Sequence, residues 1–144
     1  MKQSFFAPLA CLLAVFFACN TKSPTPAEQA ASDAGKVFTC DQLENKQYDI
    51  TVSTGGKIDG TEVLSFKNDA VESSECIKYG FAATPYTCSA MPDGVLLLEM
   101  LMTSEKEGKM TWTCRATDKQ VKGTILWVKA GQADIAYTFE GPVK

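Results

Sequence analysis

The run GVLLLEMLMTSEKEGKMTWTCRATDKQVKGTILWVKAGQADIAYTFEG, residues 94–141, decides the fold. It divides at Glu105–Gly108, at Asp118-Lys119 and at Ala130–Gln132 into four apolar segments, each joined to the next by a connection short enough for a hairpin. In the second segment Met110, Trp112, Cys114 and Ala116 alternate with Lys109, Thr111, Thr113 and Arg115. In the fourth, Ala133, Ile135, Tyr137 and Phe139 alternate with Asp134, Ala136, Thr138 and Glu140. A period of two over this length puts one face of each strand in a core and the other in water.

The pattern extends upstream. Lys46–Thr54 sets Tyr48, Ile50 and Val52 against Asp49, Thr51 and Ser53, and Gly55-Gly56 reads as a turn. Thr61–Lys67 places Leu64 and Phe66 on one face, and Asn68-Asp69 is a tight turn into a strand over Ala70–Cys76. Ile77–Thr84 reads as a longer loop bearing aromatic residues, with Tyr79-Gly80-Phe81 as an exposed patch. A short strand follows from Pro85 to Ala90, ended by the turn Met91–Gly94, and the only helix expected is a turn or two near Asp41–Asn45. The fold expected is all-β: an eight-stranded antiparallel up-and-down meander over 37–144, about 108 residues. Closure into a barrel removes both sheet edges, and an open sandwich is the alternative.

The first residues carry an address rather than a fold. Met1-Lys2-Gln3 is followed by an almost wholly apolar run from Phe5 to Ala18, too short to span a bilayer but the size of a signal-peptide core. Phe16-Phe17-Ala18-Cys19 puts a small residue before a cysteine at the end of that run, and this resembles the lipobox of bacterial lipoproteins. The resemblance implies a signal peptide over 1–18, cleavage before Cys19, acylation of Cys19 and lipid anchorage of a bacterial cell-envelope protein. The domain would then face the periplasm or the cell surface. Residues 20–36, NTKSPTPAEQAASDAGK, hold two prolines and no large apolar side chain, so 19–36 is expected to be a disordered tether.

The segment FKNDAVESSECIKYGFAATPY (66–86) resembles small uncharacterised bacterial lipoproteins with a calycin-like (lipocalin-like) barrel. That resemblance implies a fold and brings no catalytic motif. The Gly-x-Trp of true lipocalins is absent.

Composition narrows the function classes. Of the 14 basic residues one is Lys2, so beyond Cys19 there remain 13 against 17 acidic residues, a net charge of −4, with no basic cluster; nucleic acid is not an expected partner. The chain has no histidine, which removes the usual neutral-pH base and the Ser-His and Cys-His nucleophiles. No metal or other cofactor is expected. Glu72, Glu75, Glu99 and Glu140 fall in strand-like segments, with Glu99 on the outer face, and no enzyme is expected.

Cys40, Cys76, Cys88 and Cys114, an even set in an exported domain, predict two disulfides. Their pairing stays open. Hairpin registers put Cys88 and Cys114 on one face with a strand between them, farther apart than a disulfide reaches in a flat sheet.

The inward set comprises Tyr48, Leu64, Phe66, Tyr86, Leu96, Leu98, Met100, Met102, Met110, Trp112, Ile125, Trp127, Ile135, Tyr137 and Phe139. Within it Trp112, Trp127, Met100, Met110 and Tyr137 are the candidate lining of a ligand site. Eight strands enclose a space that side chains just fill or that holds one small ligand, and so many large residues predict a mostly filled barrel with a shallow mouth. Two functions follow: a lipoprotein that acts as a structural or interaction module on an envelope protein, or a carrier of a small hydrophobic ligand.

Overall fold

The computed structural model describes residues 37–144. The signal peptide and the tether, with Cys19, lie outside the described residues.

Eight strands follow one another as expected: β1 (Gln47–Thr54), β2 (Lys57–Lys67), β3 (Ala70–Ser73), β4 (Thr84–Ala90), β5 (Leu96–Ser104), β6 (Gly108–Ala116), β7 (Gln120–Val128) and β8 (Ile135–Pro142). Each pairs antiparallel with its sequence neighbours, and β1 with β8, so the sheet closes into an up-and-down barrel. The open sandwich is thereby excluded. Closure depends on Gly141: a Cβ there would lie 1.9 Å from the Asp49 carbonyl oxygen, so only glycine lets β8 come this close to β1.

The turn chemistry is what the sequence suggests. Asn68 and Asp69 both take positive φ, 54° and 57°, and Gly55 and Gly56 do likewise, matching the turn twist to the strand twist. Two boundaries differ from the expected ones. β3 ends at Ser73, because the Ser73 hydroxyl accepts the Cys76 backbone N–H (3.0 Å) and turns the chain into a 3-10 helix, Cys76–Tyr79. β8 starts at Ile135, leaving Ala133 exposed in the connection rather than inward.

Of the expected inward set, Tyr48, Leu64, Phe66, Leu96, Leu98, Met100, Met102, Trp112, Ile125 and Phe139 are buried. Tyr86, Met110, Trp127, Ile135 and Tyr137 are half-buried, and Glu99 is exposed on the outer wall. The two ends of the barrel differ. At the end bearing the β2–β3, β4–β5 and β6–β7 turns, the 3-10 helix Cys40–Leu43 lies across the opening with Phe38 and Leu43 buried. Tyr48 closes that end by donating its hydroxyl to the Thr117 carbonyl (2.8 Å) and packs edge-on against Phe66.

A disulfide fastens this plug. Cys40 bonds Cys88 on β4, with Cα atoms 6.0 Å apart. The second expected disulfide is absent: Cys76 and Cys114 are buried free thiols. Cys88 and Cys114 both oppose Leu98 in register, which confirms the separation by one strand. With Cys88 taken by the plug, Cys114 stays in the barrel wall while Cys76 sits in the helix after β3.

Candidate binding cavity at the open end

The opposite end carries the β1–β2, β3–β4, β5–β6 and β7–β8 connections, with the 3-10 helix Cys76–Tyr79 in the second of them. A cavity of about 590 Å³ opens there. Its apolar wall is Val52, Phe81, Met110, Ile125, Trp127 and Tyr137, and that volume falls within the range of small-molecule sites. So the barrel is filled from the plug to the level of Trp112 and only partly open beyond it, where Met102 and Phe81 are still buried.

The five candidate lining residues therefore divide. Met110, Trp127 and Tyr137 line the cavity. Met100 and Trp112, in register with each other, are not part of its lining and are buried in the core; Trp112 packs edge-on against Phe139 with centroids 5.1 Å apart. Trp127 is held in place at the rim by its indole N–H, which donates to the Glu107 carbonyl (2.6 Å). The Lys129 ammonium lies 5.9 Å above its ring and binds the Glu107 carboxylate at 2.7 Å.

The expected Tyr79-Gly80-Phe81 patch is corrected by the cap of the second 3-10 helix. Gly80 takes φ +79° and donates its N–H back to Ile77, reversing the chain. Tyr79 is thereby left 61% exposed while Phe81 is buried at 1% and becomes cavity wall.

Sequence reasoning overlooked Glu62. It shares the parity of Leu64 and Phe66, and it opposes the buried Ile50 on β1, so its carboxylate faces inward. That parity is legible in the sequence, although acids on strands usually face outward. The Ser73 hydroxyl, itself buried, donates to Glu62 Oε2, and the Glu75 backbone N–H also reaches the carboxylate. Burial pushes the Glu62 carboxyl above its ordinary range; these two hydrogen bonds oppose the shift, and the Glu75 charge adds to it.

Three more acids line the cavity: Asp59, Glu75 and Glu107. Asp59 is the extra residue of a bulge in β2, where Val52 opposes Gly60 but Ser53 opposes Ile58. Its carboxylate accepts the Thr54 hydroxyl. Glu75 binds the Lys78 ammonium at 2.6 Å. Cys76 completes this side, its Sγ 3.7 Å from Met110 Sδ; burial pushes its thiol up to about 11, so it is inert as a nucleophile at neutral pH. Burial likewise pushes Cys114 up to about 12.

No family model, curated protein or solved structure matches this chain. What stands is the eight-stranded antiparallel barrel itself.

Proposed function

We propose that this protein is a binding protein for a small, largely apolar molecule, which it holds in the open end of the barrel. The observation that carries this reading is the cavity of about 590 Å³ walled by Val52, Phe81, Met110, Ile125, Trp127 and Tyr137. A pre-formed apolar hollow with a few polar groups on one side is the usual shape of a small-ligand site.

The second reading, a structural or interaction module, rests on the exposed Tyr79 and Ile77 beside the mouth. With Phe81 in the core that patch holds a single exposed ring, so the cavity is the stronger feature. Attachment to a bacterial envelope membrane through acylated Cys19 belongs to the proposal and is supported by the apolar run ending at Ala18-Cys19. A lipid anchor and a carrier domain are compatible.

The test is titration of the full chain, carrying Cys19→Ser, with the neutral dye N-phenyl-1-naphthylamine. Saturable one-to-one binding is expected, lost in Met110→Arg, which places a charge on the apolar wall, while the variant still unfolds cooperatively. A folded wild-type chain without saturable dye binding would overturn the proposal.

A further inference from the structure

We infer that the ligand carries a positive charge: an organic ammonium whose head group is received by Glu62 and whose apolar body lies against Met110, Ile125, Trp127 and Tyr137. This inference rests on the mouth being a binding cavity and adds the charge of the occupant.

The first ground is the position of Glu62. An acid on the inward face of a barrel loses hydration, and such groups persist where a cation or a full set of donors meets them. The partners Glu62 has, the Ser73 hydroxyl and the Glu75 backbone N–H, are neutral. They orient the carboxylate without cancelling its charge.

A second ground is the sign of the whole site. Among the described residues every charged side chain lining the cavity, Asp59, Glu62, Glu75 and Glu107, is acidic. Lys78 and Lys129 answer Glu75 and Glu107 through ion pairs, whereas Asp59, like Glu62, accepts from a hydroxyl. The negative charge that remains is at the β2 side, next to the apolar wall. Low-dielectric walls strengthen that field, which attracts an ammonium and repels a fatty acid of the same length.

The aromatic residues are the third ground. Trp127, Tyr137 and Tyr79 line the cavity, and indole and phenol faces are electron-rich surfaces that favour cations. Lys129 already lies over the Trp127 ring in this way. A neutral hydrophobe would use the apolar wall alone and leave the carboxylate desolvated beside it, a penalty the ammonium removes.

The alternative role for Glu62 is structural, as the brace of the corner between β3 and the second 3-10 helix. A charge-reading experiment separates the two roles. Octylammonium, 1-octanol and octanoate, matched in chain length, are titrated calorimetrically into the full chain carrying Cys19→Ser at pH 7.5. Octylammonium is expected to bind about tenfold or more tightly than octanol, as a charge-assisted contact requires, with octanoate weakest. In Glu62→Gln the octylammonium preference is expected to vanish while octanol binding stays. A purely structural brace predicts instead that Glu62→Gln weakens all three alike.

The wild-type chain also supplies a control that needs no variant to fold. As pH falls and Glu62 is protonated, the preference for octylammonium should contract towards octanol. Asp59, Glu75, Glu107, Cys76, Tyr79 and Tyr137 are the other titratable groups lining the cavity, and only the Glu62 dependence disappears in Glu62→Gln. Equal affinity for the three ligands would overturn the charge inference and leave the cavity standing. Binding of none of them would overturn the cavity reading and this inference together. An ammonium preference that survives intact in a folded Glu62→Gln would refute the assignment to Glu62.

Discussion

Trp112→Ala and Trp127→Ala, made separately, compare the filled and open halves of the barrel. Trp112 is fully buried, sits between Met100 and Ile125 in register and touches Phe139 edge-on. Truncation there opens a new cavity in packed core, and the loss should be about 3–5 kcal/mol. Trp127 faces a space that is already empty. Its truncation forfeits the hydrogen bond to Glu107, about 1 kcal/mol, and part of the burial of one ring face, for a total of about 1–2 kcal/mol. The assay is guanidinium denaturation followed by far-ultraviolet circular dichroism, in which about 4 kcal/mol displaces the midpoint by about 1 M. A third variant isolates the indole N–H. Trp112 Nε1 is buried with no hydrogen-bond acceptor among the described residues. In Trp112→Phe the lost ring volume costs about 1 kcal/mol, while removal of the unpaired donor returns about 1–3 kcal/mol. That variant should therefore be near neutral or slightly more stable. Equal losses in Trp112→Ala and Trp127→Ala would refute the division into a filled and an open half.

Three further outcomes are expected. Because Glu62 has a raised pKa in the folded chain, the folded state holds its proton more tightly than the unfolded one. Its stabilising contribution is present below the ordinary carboxylate range and is lost as pH rises through the raised value; melts of wild type and Glu62→Gln across pH 4–8 should diverge with that sign. Alkylation with peptide mapping should label Cys76 and Cys114 only after denaturation, and Cys40 and Cys88 only after reduction. Reduction should cost about 4 kcal/mol, since the bridge spans 48 residues, and labelling of Cys40 without reductant would count against the bridge. Intact mass of membrane-extracted native protein should show loss of residues 1–18 and a diacylglyceryl group on Cys19, and unmodified protein in the aqueous fraction would refute the anchor.

The barrel was readable because its determinants are local. Period-two alternation from β5 to β8 and left-handed turns at Gly55-Gly56 and Asn68-Asp69 act on neighbouring residues, so they survive without tertiary information. The disulfide was not readable, because Cys40 stands outside the strands and its position depends on how the plug crosses the barrel end. Phe81 was misjudged for a related reason: one left-handed glycine sends two aromatic residues in opposite directions, and periodicity does not register such a reversal. Glu62 shows where the polar-out rule fails. Its parity with Leu64 was plain, yet an inward acid makes sense only once the cavity around it is known.

The ladder between β3 and β4 has two register pairs, Ala70 with Pro85 and Val71 with Thr84, and Pro85 brings no N–H to it. β5 and β6, by contrast, share nine pairs. Backbone amide exchange should reflect this inequality, with β5–β8 exchanging through global unfolding and the stretch from 70 to 85 through a smaller, less costly opening. Glu75, Cys76, Tyr79 and Phe81 are carried on the chain that spans this seam, and they form one side of the cavity. A molecule that touches them together with Met110 and Trp127 ties this chain to the well-paired strands β6 and β7. Occupancy of the mouth should thus appear as slowed exchange concentrated between 70 and 85, with the amides of β6 and β7 almost unchanged.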